Sequence, residues 1–310
     1  MNIQKSTTAA LTLLCAALLG VAAPARATEG GAPITPFGVT DFGAGIMPPP
    51  SDVATVGVRT TFYHANQLRD DAGNRSPVGA DLSIYSLGVA VIKMTKTTFL
   101  GATYGYAAVF PLLDMKLDLS IPTPAGPLAM TGRKTAMGDI SVTPVILQWT
   151  SPGFFQYAAL QVQAPTGSYD KNRLANPGTG HWTWSPTYAF TRIGQTGFEV
   201  SSTIQVNLNT RNHHTGYRSG AEWQQEFALG QHVGPYTVGL GGYFYHQFTD
   251  DRAAGLANGN RARVLALGPA INFFSPGSKL PIVWLHAFKE FGARNRSQGT
   301  QVALRAAFTF

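Results

Sequence analysis

Cysteine is almost absent from this 310-residue chain: Cys15 is the single one, and it falls in the stretch expected to be removed on export. The mature protein therefore has no disulfide, no thiolate nucleophile and no cysteine metal ligand. Charge is scarce too, at 13 % Asp, Glu, Lys and Arg, against roughly a quarter in soluble domains. No Lys/Arg run stands in the sequence, which argues against a nucleic-acid partner. Long apolar runs are missing as well, since nothing after the N-terminal stretch approaches the roughly 18 to 20 residues of a membrane-spanning helix. No Gly-x-Ser-x-Gly elbow accompanies the serines, and the Gly239-Leu240-Gly241-Gly242 run lacks the following helix that a nucleotide site needs.

What is present begins with an export signal. Lys5 gives a basic start, residues 11–23 an apolar core and Ala25-Arg26-Ala27 a small-residue cleavage site, so the mature chain is expected to begin at Thr28. Leu14 directly before Cys15 argues against a lipoprotein signal. Loss of Lys5 and Arg26 lowers the formal net charge from +7 to +5, a mild surface balance.

The last ten residues carry the strongest signal. Val302, Leu304, Ala306, Phe308 and Phe310 share one face, and Gln301, Ala303, Arg305, Ala307 and Thr309 the other. This period of two suits a strand with lipid on one side and a watery lumen on the other. Only helices and closed barrels satisfy every backbone polar group in hydrocarbon, so a chain without an apolar helix that crosses a membrane must close a barrel.

About twelve strands are expected, near 54–64, 81–94, 99–110, 139–150, 154–164, 181–191, 197–209, 219–229, 233–249, 261–274, 280–291 and 299–310. Short turns alternate without exception with longer polar links, the plan of outer-membrane barrels, and an even count returns both ends to one side. Aromatics flank the short turns: Trp149, Phe154 and Phe155 at one, Phe190 and Phe198 at another, Phe227 and Tyr236 at a third, Phe273 and Phe274 at a fourth. The fold expected is an all-β, transmembrane antiparallel outer-membrane β-barrel. Its parts are a signal peptide over 1–27, an N-terminal segment over 28–52 and the barrel over 53–310.

The alternation also nominates a lumen. Arg59, Arg263 and Arg305 against Glu199, Glu222 and Glu226 are expected to face inward, where opposite charges can pair across a narrow pore or orient a solute. Tyr63, Tyr243 and Tyr245 would offer ring faces to an aromatic solute, with Gly101, Gly105, Gly239 and Gly241 leaving room beside them or only setting the sheet's curvature. The Gly/Pro-rich segment 28–52 carries Phe37, Phe42, Ile46 and Met47, which prefer burial to water; it is either a plug inside the barrel or an extended periplasmic tail. Link 111–137, with Met115, Leu117, Leu119 and Ile121 alternating, either lengthens a hairpin beyond the membrane or folds inward as a constriction.

Several stretches together resemble a family. They are Thr28-Glu29-Gly30-Gly31, Gly45-Ile46-Met47-Pro48-Pro49-Pro50, Pro165-Thr166-Gly167-Ser168-Tyr169-Asp170, Tyr217-Arg218-Ser219-Gly220, Gly230-Gln231-His232-Val233-Gly234-Pro235-Tyr236 and Glu290-Phe291-Gly292-Ala293-Arg294-Asn295. The chain is similar through these to the outer-membrane proteins of the MetA-pathway of phenol degradation family. That resemblance implies a bacterial outer-membrane barrel, often labelled a transporter, encoded near pathways that consume aromatic or hydrophobic compounds.

The function expected is passive uptake of small hydrophobic or aromatic solutes, without cofactor, metal or catalysis. Expected partners are outer-membrane lipid and lipopolysaccharide, the barrel assembly machinery reading Phe310, and the solute. A lipid-acting enzyme would need a nucleophile and base such as a serine with His246 or His286. A structural or adhesive barrel would act through its loops. Neighbouring His213 and His214 lack the placed carboxylate of a metal site.

Overall fold

The computed structural model describes residue 29 and residues 35–256, 259–277 and 280–308. The expected signal peptide and Phe310 lie outside the described residues, as do the other residues between 30 and 34.

Among the described residues thirteen strands form one sheet: β1 (Thr55–Arg69), β2 (Gly79–Phe99), β3 (Ala102–Ile121), β4 (Leu128–Met137), β5 (Ser141–Ser151), β6 (Phe154–Gln163), β7 (Thr183–Ile193), β8 (Phe198–Asn209), β9 (Glu222–Val233), β10 (Tyr236–Gln247), β11 (Arg263–Phe273), β12 (Ile282–Arg294) and β13 (Arg296–Phe308). The spatial order is β2-β1-β13-β12-β11-β10-β9-β8-β7-β6-β5-β3-β4, and β2 also pairs with β3. That last pairing closes the ring, so twelve strands make an antiparallel barrel wall and β4 is an extra strand laid on β3. Closure leaves the wall no free edge, which hydrocarbon surroundings require.

The expected strands lie in place, and the extra one explains link 111–137. β3 pairs with β5 through Thr103, Gly105 and Val109, and with β4 from Leu112 to Ile121. Its outward face changes over the same stretch, from Tyr106, Phe110 and Leu112 to Asp114, Lys116 and Asp118. On β4, Arg133 Nη2 donates to Asp114 at 2.8 Å. The hairpin thus rises beyond the apolar band with a charged outer face. Its inner face stays apolar, with Leu82, Leu117 and Leu119 buried together against Leu174.

Most connections at the end holding the start of β1 and the end of β13 are short. Gly153 (φ 68°) and Gly234 (φ 59°) sit in turns that need the left-handed region. Links at the opposite end are mostly longer, with two departures from the expected alternation: the β11–β12 link at the short-turn end spans residues 274–281, and β12 and β13 are joined through Asn295 alone, at φ 52°. Both strands run past the apolar band, so polar residues expected in a loop are paired in the sheet instead.

Outward positions form the apolar belt. Val302 and Leu304 are each 45 % exposed, while Gln301 and Ala303, which alternate with them, are buried. The alternation read from the closing strand therefore holds. Inside, the β9–β12 half is filled by a core of Phe37, Tyr243, Tyr245 and Phe288 against the small residues Ala262, Val264 and Ala266.

Candidate solute path beside the N-terminal segment

A segment with no regular structure cannot satisfy its own backbone, so each N–H and C=O must find a partner elsewhere. Residues 35–45 find theirs on inward-facing side chains of the wall. Carboxylates and hydroxyls of β7, β8 and β9 take the donors. Glu226 accepts from Val39 N at 3.0 Å, Thr40 N at 2.6 Å and Thr40 Oγ1 at 2.6 Å. Glu199 accepts from Gly43 N at 2.7 Å, and Thr191 Oγ1 from Gly45 N at 2.9 Å.

Strands β1, β12 and β13 supply donors to the carbonyls on the other side. Arg59 Nη2 donates to Phe37 O at 3.0 Å and Gly38 O at 2.8 Å, Gln301 Nε2 to Phe37 O at 3.0 Å, Arg305 Nη1 to Val39 O at 2.8 Å and Trp284 Nε1 to Phe42 O at 2.8 Å. Asp41, itself buried, lies 2.9 Å from His286 Nδ1 and accepts from Arg305 Nη2 at 3.2 Å. Near the long-loop end, Glu29 accepts from Tyr169 Oη at 2.9 Å and Asn212 Nδ2 at 2.7 Å. Burial beside Glu29 pushes the Tyr169 hydroxyl up to about 12.

Three apolar anchors complete the hold. The Phe37 ring lies 4.9 Å from both Tyr243 and Tyr245, with the Arg296 guanidinium 4.8 Å from its centroid. Phe42 rests on β9, where a Cβ at Gly230 would come within 2.5 Å of its ring. Met47 packs with Met94, Ile146 and Tyr157. Ile46 departs from the expectation of burial: it is 42 % exposed and faces the open space.

The sequence-nominated lumen residues divide as follows. Arg59, Arg305, Glu199 and Glu226 do face inward, but they bond to residues 37–43 rather than pairing with one another across a pore. Glu222 is fully buried on the inner face and accepts from Asn207 Nδ2 at 2.9 Å. Tyr63 and Tyr243 both donate to Glu290, at 2.8 Å each, and the faces of Tyr243 and Tyr245 are met by Phe37 rather than left open.

Arg263 corrects the expected inward placement. It is exposed on the outer wall, in phase with Leu265 and Leu267, because Ala262, Val264 and Ala266 take the inward positions beside the bulky rings.

Glu290, Arg296, Asp41 and Trp284 belong to the same network and were not nominated; His286, named above only as a candidate base, and Gln301, named only for the inner face of the last strand, belong to it too. Glu290 accepts from Arg296 Nη2 at 2.9 Å and Gly299 N at 2.6 Å. Its sequence signal was the Lys289-Glu290 pair, whose members point to opposite faces: Lys289 outward, Glu290 inward.

The segment leans on the β8–β13 side and leaves the other side of the barrel open. A cavity of about 1790 Å³ runs there, with lining residues at both ends of the barrel: Phe274, Leu280 and Phe308 near the short turns, Leu117, Leu174 and Asn176 near the long loops. Ile84 and Ile92 of β2, Val109, Leu113 and Met115 of β3 and Ala159 of β6 line it, with Ser86, Thr143 and Gln161 as sparse polar points. One flank is hydrogen-bonded and charged, and the facing flank is aliphatic.

The family model described as "Putative MetA-pathway of phenol degradation" matches residues 65–306. The chain belongs to that family. A solved relative in fold is the COG4313 outer membrane channel from Pseudomonas putida F1, with 16 % identity, a TM-score of 0.72, and coverage of 87 % of this chain and 100 % of that one. The β-domain of the Bordetella autotransporter BrkA is more distant, at 11 % identity and a TM-score of 0.48 over 84 % of this chain and 100 % of that one. No curated protein matches the chain. The closed barrel with one extra strand thus agrees with an outer-membrane channel fold, and the family places the chain among proteins linked by name to phenol degradation.

Proposed function

We propose that this family member is a bacterial outer-membrane channel for passive uptake of small hydrophobic or aromatic compounds. Its short turns would lie on the periplasmic side and its long loops outside. The observation that carries the reading is the aliphatic flank of the cavity, since a general aqueous pore has no need of Ile84, Ile92, Val109 and Met115 inside the wall. Apolar compounds cross a charged, hydrated lipopolysaccharide leaflet poorly, and an aliphatic path through the wall removes that barrier.

Residues 35–45 act in this reading as a fixed narrowing. The segment takes one side of the lumen and orders the charged side chains, which leaves the solute to slide along the other. Arg59, at the boundary between the two flanks, is spent on Phe37 O and Gly38 O and presents little bare charge to an apolar solute.

Entry of a small aromatic compound into vesicles with a lipopolysaccharide outer leaflet tests this. The mature chain should raise the rate over protein-free vesicles, and a chain lacking 28–52 should change it further. Rates equal to protein-free vesicles for both chains would overturn the proposal and turn attention to the loops.

A further inference from the structure

We propose that the outer wall carries a docking site for a phosphorylated, multiply acylated glycolipid of the outer leaflet, built on β10, β11 and β12 at the long-loop end. This rests on the proposed orientation but not on the channel reading.

The site combines a groove, a cluster of cations and a lipid-facing position. The groove has a volume of about 420 Å³ and is lined by Phe244, His246, Arg263, Leu265, Phe291 and Gly292. A break in register opens it: His246 pairs with Arg263 and Arg263 with Arg294, yet Leu265 pairs with Phe291, so β12 carries an extra residue there. Gly292, at φ 59°, has nothing within 4 Å of where a Cβ would stand, and so leaves the groove unfilled.

Arg263 tops this groove, and Arg294 is its neighbour in register. Deeper on the same outward face is Lys289, opposite Leu267, exposed, with its ammonium 6.0 Å from the Phe291 ring centroid. A lysine among lipid-facing leucines directs its ammonium toward the headgroup level. Arg261 nearby is held by Asp250 at 2.6 Å, whereas among the described residues neither Arg263 nor Lys289 has an ion-pair partner. Arg263 above a rim of Phe244, Leu265 and Phe291, with the Lys289 ammonium rising beside the Phe291 ring, matches a ligand with phosphates above acyl chains. A free phosphate ion would gain nothing from the apolar half, so the occupant is a lipid.

The test uses the full mature chain in detergent, with bisphosphorylated lipid A and its dephosphorylated form as probes and bound lipid counted by native mass spectrometry. The wild type should favour the phosphorylated form by at least about tenfold, as expected for two charge-assisted contacts. The double variant R263Q/K289Q should lose most of that preference while keeping its heat-modifiable barrel mobility and its rate of solute entry. Should the double variant not fold, Lys289→Gln alone, at an exposed side chain, should lower the preference several-fold. An unchanged preference in a folded variant would overturn the proposal. So would displacement of the lipid by millimolar inorganic phosphate, which marks a small-anion site instead.

Discussion

Replacing Glu226 by Gln should release the N-terminal segment from the wall. The Glu226 carboxylate is 97 % buried and accepts three bonds from Val39 and Thr40, at 3.0, 2.6 and 2.6 Å. Hydrogen bonds to a charged group contribute about 1.5–3 kcal/mol each against about 0.5–1.5 for neutral ones. The amide also turns one acceptor into a donor facing Thr40 N. A loss of about 2–4 kcal/mol in docking follows, and this raises the undocked fraction about 30-fold to several hundred-fold. The absence of other cysteines in the expected mature chain makes the readout clean. Ala44→Cys, at a position 7 % exposed, would be labelled by a membrane-impermeant thiol reagent only when the segment leaves its seat. Labelling in the Glu226→Gln background should be faster by about the factor above. Equal rates in both backgrounds would refute the claim that this carboxylate holds the segment.

Other perturbations act on separate parts of the account. Gly230→Leu should expel Phe42, because a Cβ there would stand 2.5 Å from its ring; Ala44→Cys labelling should rise while the barrel keeps its heat-modifiable mobility. Val109→Asp places a charge on the aliphatic flank and should cut entry of an apolar solute by about tenfold or more, consistent with a desolvation cost above about 1.4 kcal/mol, without loss of folding. His181, in the link between β6 and β7, is buried, and burial lowers its pKa below the ordinary 6.5. Its neutral form is therefore favoured in the folded loop. The stability this provides is fully present above about pH 6.5 and is lost as pH falls from there toward the lowered folded value. Protease nicking at Lys171 or Arg173 should increase between pH 7 and 5, and His181→Gln should flatten that rise.

Strand positions were legible because one rule, apolar outside and polar or small inside, operates wherever a wall separates lipid from water. Val302 to Phe308 and Phe198 to Leu208 obey it. Arg263 broke it for a physical reason: on that side the interior is packed like a core, and Phe37, Tyr243 and Phe288 need small neighbours such as Ala262 and Ala266. With apolar residues on both faces the alternation loses its sign, and the charged residue goes to the outer rim. The anchoring role of Glu199, Glu226, Arg59 and Arg305 was illegible for a different reason. Inward charge signals a lumen, but only the path of residues 35–45 reveals that the charges answer backbone groups rather than each other or a solute. β4 was hidden because Met115 to Ile121 alternates like a membrane strand while its partner, Leu128–Met137, carries polar residues on both faces.

The most direct test of the central claim compares entry rates of two solutes of similar width, one a small aromatic compound and the other a sugar, into vesicles with a lipopolysaccharide outer leaflet. Wild type and Val109→Asp are measured side by side. The account predicts that the wild type admits the aromatic compound faster than protein-free vesicles and that the substitution suppresses this entry while leaving the sugar's unaffected or raised. Equal suppression of both solutes, or no protein-dependent entry of the aromatic compound at all, would contradict an aliphatic path beside the N-terminal segment.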